Sequence, residues 1–497
     1  MMKLRSLRSL IIVCAVPLLV YAGSTGKIAG RVIDVKTKDP LPGANVIVEG
    51  TSLGSASDAD GRYVILNVPP GTYVVTASFL GYSRTQVRDV RVSTDFTTTL
   101  DFALEEGDIE LDVVVVQGER SPLIRKDLTN PVASISAETI DELPVTEISE
   151  VIGLQAGITV DDDGTIHVRG GYGNELAYTL NGLNINNPYG NTRSVGLATN
   201  AVREVSVSSG TFSAEYGTAL SGVVNYVTKE GGRSISGGFK YLTGDHISSH
   251  KDLFTNINDV NFSNVYRVEV SLGGPVPLIE GLNFYTSGVY NYFGGSLYAT
   301  RLYRPEDSYL SREAFPTGDP RNGSSSDPYY FGPFLHADTD LVGGPSGDGA
   351  IVPLNWSRSF NIQGNLSYSF TPEMKLKYEI VVTDDRRPSG SGDSDPFDNR
   401  YKPDGRRIVN DEGYFQSLDW THVLSDKTFY TLKFSHLADR TTSRVFDSPY
   451  DQRYLPSFYL QSLGNTSFLT GGVDLTRFYQ KTETYAGKLD LISQMFD

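Results

Sequence analysis

Few residues in this chain could carry chemistry, and most of them fail on spacing. His246 and His250 stand four apart with Asp245 and Asp252 beside them. On a helix that spacing would aim two imidazoles at one metal ion. The segment is hydrophilic, and loop histidines are the commoner outcome, so no metal ligand is assigned. Asp161-Asp162-Asp163-Gly164 offers carboxylates to calcium, but consecutive acids before a glycine fit an exposed turn better. Gly170-Gly171-Tyr172-Gly173 lacks the third glycine and the following helix of a dinucleotide loop. There is no Walker loop. No histidine precedes His167, so the N-terminal region has no HxxE-type zinc pair. Arg386-Arg387 and Arg406-Arg407 lie in an aspartate-rich stretch and read as solvated loop charges. No catalytic residue and no cofactor is expected.

The elements themselves are more informative. Lys3, Arg5 and Arg8 precede an apolar run from Leu10 to Val20, too short to span a bilayer, and Val20-Tyr21-Ala22 offers small residues for cleavage. Residues 1–22 are therefore expected to be a secretory signal. Cys14, the only cysteine, lies inside it, which leaves no disulfide framework and no cysteine–zinc site. The net charge of −16 comes without a basic stripe, which argues against nucleic acid as a partner. No later window is apolar enough for a transmembrane helix, but barrel strands alternate and escape hydropathy averaging.

Residues 23–105 contain short strands at regular spacing: Lys27–Asp34, Ala44–Val48, Tyr63–Asn67, Gly71–Phe79 and Thr97–Leu104. Asp58-Ala59-Asp60-Gly61 and Pro69-Pro70-Gly71 supply turns between them. The pattern GKIAGRVIDVKTKDPLPGANVIVEGTSLGSASDADGRYVILNVPPGTYVVTASFLGY resembles the carboxypeptidase-regulatory-like (transthyretin-like) sandwich. Without zinc ligands it reads as a spacer or protein-contact module.

From Ile166 to Gly232 two glycine-punctuated blocks follow each other. The positions in register are Val168-Arg169-Gly170, Tyr178-Thr179-Leu180-Asn181-Gly182, Val202 to Val207, Gly210, Glu215-Tyr216-Gly217, Ser221-Gly222-Val223-Val224-Asn225 and Thr228-Lys229. This stretch resembles the plug domain of TonB-dependent outer-membrane receptors, and the plug is expected over residues 121–232. The resemblance implies an active importer powered by the proton-motive force. Its partners would be TonB with ExbB–ExbD, outer-membrane lipid, an unknown extracellular ligand (glycan, peptide or metal chelate) and a surface lipoprotein. Arg169 and Glu204 are candidates for plug–barrel ion pairs. Asn181 stands where the family usually has aspartate, so that site's role is not carried over. Upstream, Ser136 with Glu138 to Glu142, and Thr146 with Ser149-Glu150, are helix starts with acidic first turns.

Residues 106–120 link the two modules. Asp112, Val113, Val114, Val115, Val116, Gln117 and Gly118 have the β-branched character of an extended segment able to add to a partner's sheet edge. By resemblance this is the candidate TonB box. The competing reading is that the valines are the sandwich's last strand or the plug's first.

From residue 233 to 497 the chain alternates. Val268, Val270 and Leu272 oppose Arg267, Glu269 and Ser271; Phe360, Ile362, Leu366, Tyr368 and Phe370 share one face, as do Leu376, Tyr378, Ile380 and Val382. Short turns alternate with long segments at roughly 294–357, 385–411 and 440–481, the asymmetry of an outer-membrane barrel. About eight strands are legible, whereas plugged barrels have about 22. At roughly 32 residues per strand such a barrel needs about 700 residues, so the sequence is expected to be C-terminally truncated. The fold class expected is mainly β: an N-terminal β-sandwich, an α+β plug, and the first part of a large antiparallel transmembrane β-barrel in the outer membrane. The rival function is a non-transporting envelope barrel with an adhesion or secretion-linked role.

Overall fold

The computed structural model describes residues 25–107 (without 52 and 95), 114–117, 132–250 (without 162, 163, 211 and 213–215), 255–305, 346–389, 396–454 (without 426) and 471–493. The expected signal, residues 1–22, lies outside them, as do Asp112, Val113, Gly118 and Asp252.

The first module is a two-sheet sandwich. Its strands are β1 (Gly26–Asp34), β2 (Asn45–Val48), β3 (Gly54–Ala56), β4 (Arg62–Val68), β5 (Gly71–Ser78), β6 (Thr85–Val92), β7 (Thr97–Thr99), β8 (Phe102–Leu104) and β9 (Val114–Gln117). One sheet runs β4-β1-β7 with β8 also on β1, and the other runs β3-β2-β5-β6-β9. Alternating residues such as Ile28, Val32, Val46, Val48, Ile65, Val75 and Phe102 fill the space between them. The expected single strand Thr97–Leu104 is broken in two. At the break Leu100 O accepts the Tyr63 hydroxyl at 2.6 Å and Asp101 Oδ1 accepts Arg31 N–H at 2.8 Å.

The plug follows, with β10 (Val132–Ser136), α1 (Ala137–Glu142), α2 (Ile148–Gly153), β11 (Ile158–Val160), β12 (Ile166–Val168), β13 (Leu176–Leu180), β14 (Leu183–Asn184), β15 (Val202–Ser209) and β16 (Gly222–Thr228). Ser136 precedes α1 as expected, while α2 starts one residue later than Thr146 suggests. There Glu150 Oε2 accepts the backbone N–H groups of Thr146 (2.9 Å) and Glu147 (3.2 Å), satisfying donors that a helix start leaves free. The sheet order is β10-β15-β16-β13-β14, with β11–β12 as a separate hairpin. β16 is buried along its whole length, which explains its near-continuous apolar run GVVNYV.

The third part is one antiparallel sheet of eight strands in chain order: β17 (Ser236–Gly244), β18 (Val265–Pro275), β19 (Leu282–Phe293), β22 (Ser357–Thr371), β23 (Met374–Pro388), β24 (Ile408–Ser425), β25 (Thr428–Arg444) and β26 (Phe478–Ser493). A short hairpin, β20 (Tyr298–Thr300) with β21 (Ile351–Pro353), belongs to a long connection. Among the described residues β17 and β26 each pair on one side only. Outward residues such as Phe360, Ile362, Leu366, Phe370, Leu418, Phe434 and Leu489 are exposed, while inward Gln363, Asn365, Lys377, Glu379 and Lys433 are buried. Exposed apolar and buried polar faces are the inverse of a soluble sandwich and the pattern of a lipid-facing barrel wall.

Aromatic clusters mark both rims. Phe370, Trp420, His422 and Tyr430 pack at the short-turn end, and Tyr266, Tyr290 and Tyr292 at the long-connection end. Ten residues separate Phe360 from Phe370 on β22. That is about 34 Å of strand, or about 26 Å along the normal at a tilt near 40°, the height of an outer-membrane apolar band.

The strands run further into the long connections than composition suggests, with β23 reaching Pro388 and β25 reaching Arg444. Their charged tips pair across strands, Arg387 with Asp411 at 3.0 Å and Arg440 with Glu412. Arg387 is therefore not a free loop charge. Nor are Arg406 and Arg407: Arg406 Nη1 donates to Leu354 O at 2.5 Å, and Arg407 Nε donates to Asp474 Oδ2 at 2.5 Å. Both fasten one connection to another.

Candidate functional site

The plug sits against the inward face of the barrel sheet through the Asn181-Gly182 turn. Both residues have positive φ (51° and 79°), which the Asn-Gly pair tolerates in a two-residue hairpin between β13 and β14. Asn181 is buried, and its amide is used in full. Nδ2 donates to Glu379 Oε2 at 2.5 Å and to Thr228 Oγ1 at 3.0 Å, while Oδ1 accepts Thr228 N–H at 3.2 Å. Its backbone carbonyl accepts Lys433 Nζ at 2.6 Å. Glu379, which is fully buried, also accepts Gln363 Nε2 at 2.9 Å and lies 3.5 Å from Lys377 Nζ. Lys377 in turn donates to Thr228 Oγ1 at 3.0 Å and stands 3.3 Å from Glu230, which Lys375 also contacts. Burial opposes ionisation of Glu230, but Lys375, Lys377 and Arg203 outweigh it and hold the carboxyl well below the usual range.

Further contacts extend this latch along the sheet. Asn361 Nδ2 donates to Gly196 O (2.7 Å), Asn365 Nδ2 to Lys229 O (2.8 Å) and the Tyr285 hydroxyl to Asn200 O (2.6 Å). Asn187 Nδ2 reaches Asp439 Oδ1 at 3.0 Å, and Arg267 holds Glu147 Oε1 at 3.1 Å and Thr146 O at 2.9 Å. Plug main-chain carbonyls are thus met by barrel donors, and no water-filled gap is needed to satisfy them.

Of the two candidates for plug–barrel ion pairs, Glu204 turns to the sandwich, and Arg169 lies beside Gly210 within the plug. Arg169 has φ 51° in the turn after β12 and lies against Gly210, where an added Cβ would sit 2.6 Å from its Nη1. Glu204, 2% exposed, accepts the Thr94 N–H of the sandwich at 2.9 Å. Burial pushes its carboxyl above the ordinary range, partly offset by hydrogen bonds from Thr94, Ser134 and Ser93. Gly170, Gly182 and Gly210 all hold positive φ. Tyr216, followed by Gly217, packs on Ala177, Ala219 and Val223. Gly222 opens β16, where a Cβ would come within 2.9 Å of Ser208 O. The barrel half of the latch, Lys377, Glu379 and Lys433, was missed from sequence. The signal was there as charged residues at the inward positions of alternating strands.

In the linker, Val114–Gln117 forms β9 on the open edge of β6, in parallel register from Thr85↔Val114 to Arg88↔Gln117. His246 and His250 occupy an irregular exposed segment, not a helix face; Asp245 caps Asn261 N–H at 2.6 Å and Asn264 Nδ2 at 2.7 Å. Asp161 meets His167 Nε2 at 2.9 Å, while Asp162 and Asp163 lie outside the described residues. Among the described residues no group of three His, Cys, Asp or Glu could hold a metal.

A sandwich, a latched α+β plug and a sheet with lipid-facing apolar and inward polar faces define a plugged outer-membrane barrel architecture. Residues 28–116 match the CarboxypepD_reg-like domain, and residues 125–224 match the TonB-dependent Receptor Plug Domain. A TonB-dependent receptor of Formosa agariphila is 35% identical over 155 residues, covering 29% of this chain and 15% of its own. The TonB-dependent transporter Oar of Myxococcus xanthus is 26% identical over 280 residues (50% and 25%), and the TonB-dependent receptor SusC of Bacteroides thetaiotaomicron is 32% identical over 164 residues (30% and 15%). The outer membrane transporter YddB from Escherichia coli superposes with a TM-score of 0.47 at 12% identity, over 74% of this chain and 46% of its own. The family models and the curated relatives thus identify the sandwich as a CarboxypepD_reg-like domain and the segment after it as a TonB-dependent receptor plug domain. The matched stretches span a quarter or less of the curated relatives' lengths, and those relatives are described as receptors or transporters rather than enzymes.

Proposed function

We propose that this chain belongs to an outer-membrane importer whose plug closes the barrel at rest and is moved by TonB acting on the segment from Asp112 to Gly118. The observation that carries this reading is the buried polar latch. Asn181, Thr228 and Glu230 of the plug and Lys377, Glu379 and Lys433 of the wall form a contact that is closed yet built of exchangeable polar bonds. An apolar seal would have no hydrated state to open into; a polar one can trade its partners for water when pulled. The sandwich touches the plug near Glu204 and Arg203, which supports a place for it on the periplasmic side, the side that short turns face in such barrels. That side is where TonB, with ExbB–ExbD, would deliver work from the proton-motive force. The ligand is a glycan, a peptide or a metal chelate arriving from the long-connection side, with a surface lipoprotein as candidate partner. A peptide spanning Glu106 to Arg120 tests the coupling: it binds the periplasmic C-terminal domain of TonB, and Val115→Pro abolishes binding by removing a main-chain donor. Equal failure of both peptides would refute the assignment of the box.

A further inference from the structure

Two arginines stand side by side on the outward face of the wall without a carboxylate. Arg358 of β22 and Arg386 of β23 are direct cross-strand partners, in one row with Tyr292 of β19 and Asn410 of β24. Arg358 shares the phase of the exposed Phe360 and Ile362, whereas Asn361 and Gln363 on the other phase turn inward. Like charges directly opposite each other on one face repel. Neighbouring cations near the strand tips are neutralised, Arg387 by Asp411 at 3.0 Å, Lys481 by Glu483 at 2.6 Å and Arg440 by Glu412. Among the described residues Arg358 and Arg386 have no ion pair, and Asp384, two residues below Arg386 on the same face, pairs with neither.

The height of the pair says what it meets. Phe360 ends the apolar band at the long-connection end, and Arg358 lies two residues beyond it. Two residues are about 7 Å of strand, or about 5 Å along the normal at a tilt near 40°. The headgroup layer outside a hydrocarbon core of about 30 Å is itself roughly 5–8 Å thick. Tyr266 and Tyr292, with ring centroids 5.2 Å apart, mark the same level. We propose that Arg358 and Arg386 bind the phosphate of an anionic lipid headgroup in the leaflet on the long-connection side. A phosphate between them accepts from both guanidiniums, whose planar forks match its oxygens two at a time. Its charge removes the repulsion, and the edge of the bilayer strengthens the contact by lowering the local dielectric. Asn410 does not compete, because its amide is held by Glu412 at 3.0 Å. The bound headgroup braces β22 and β23, the two strands whose inward residues Gln363, Lys377 and Glu379 belong to the plug latch. The inference rests on the wall being membrane-spanning and is independent of the coupling segment.

The intact receptor in detergent is titrated with diphosphoryl lipid A, its dephosphorylated form and inorganic phosphate, and binding is read by native mass spectrometry. The expected result is at least about tenfold tighter binding of the diphosphoryl lipid than of the dephosphorylated one. Arg358→Gln with Arg386→Gln removes that preference, while Arg440→Gln, at a paired arginine on the same face, changes it less than about twofold. Arg358→Lys with Arg386→Lys keeps the charge and recovers only part of it, because the forks are gone. A wild-type receptor without the preference overturns the proposal, and so does a folded Gln double variant that keeps it. Inorganic phosphate binding as tightly as the lipid overturns the lipid as its source. If the double variant fails to fold, Arg386→Gln alone is read in its place, and an unchanged preference there overturns the site.

Discussion

Removing Lys377 from the latch should loosen the plug more than removing Lys377 and Glu379 together. Lys377 Nζ stands within 3.0–3.5 Å of Thr228, Glu230 and Glu379, and its side chain is 8% exposed. Lys377→Met leaves the fully buried Glu379 with only the Asn181 and Gln363 amides as donors. Breaking one side of a buried pair costs about 3–5 kcal/mol, because the remaining charge stays desolvated and uncompensated. At about 4 kcal/mol the docked-to-undocked ratio of the plug falls roughly 800-fold. In Lys377→Met with Glu379→Leu that orphan charge is gone and Glu230 keeps Lys375, so the residual loss is chiefly the acceptor for two amides, about 1–2 kcal/mol. The assay is a urea titration of the intact receptor with a fluorophore on Tyr189→Cys, a highly exposed plug position. The midpoint should drop strongly for the single variant and recover by at least half in the double. A single-variant loss under about 1 kcal/mol, or a double variant worse than the single, would refute the buried-pair reasoning.

Three further outcomes follow from the same geometry. Asn181→Asp replaces a donor 2.5 Å from Glu379 with a second carboxylate, and should weaken plug docking by about 2 kcal/mol in the same titration, with Glu379→Gln restoring it. Gly413→Val puts a side chain where even a Cβ would lie 2.3 Å from Ser194 O and 2.5 Å from Thr383 Oγ1, so the plug should fail to seat, read as protease sensitivity of the plug in refolded receptor. Glu204 is raised by burial, so the docked sandwich takes up a proton more readily than the undocked one. Docking is then strongest at acid pH and weakens as pH rises through the raised value. Amide exchange at Thr94 should show this dependence, and Glu204→Gln should flatten it while keeping an acceptor for the Thr94 N–H.

Period-two alternation in the barrel strands, the Asn-Gly turn and the acidic starts of α1 and α2 were legible in the sequence because each is local. Strand β6 was not. Thr85 and Val87 are buried on one phase and Val90 and Val92 on the other, since Asp89 at φ 60° slips the alternation by one residue. The valine run was ambiguous for a different reason. An extended four-residue segment looks the same free or docked, and its partner Thr85–Arg88 is set by tertiary packing. Strand lengths were underestimated where charged tips pair with each other across strands above the apolar band. The latch itself joins Asn181 to Glu379 across 198 residues, a pairing no local pattern encodes. Glu204 met the same limit: its charge type was readable, but that it faces the sandwich was not.

The most direct test of the account is site-specific photocross-linking in energised cells, with the reactive side chain placed in turn at Val114, Val115, Val116 and Gln117. The account predicts an adduct with TonB from at least one position, lost when Pro replaces a neighbouring valine while the plug stays docked. An assembled receptor that yields no TonB adduct from any of the four positions would contradict it.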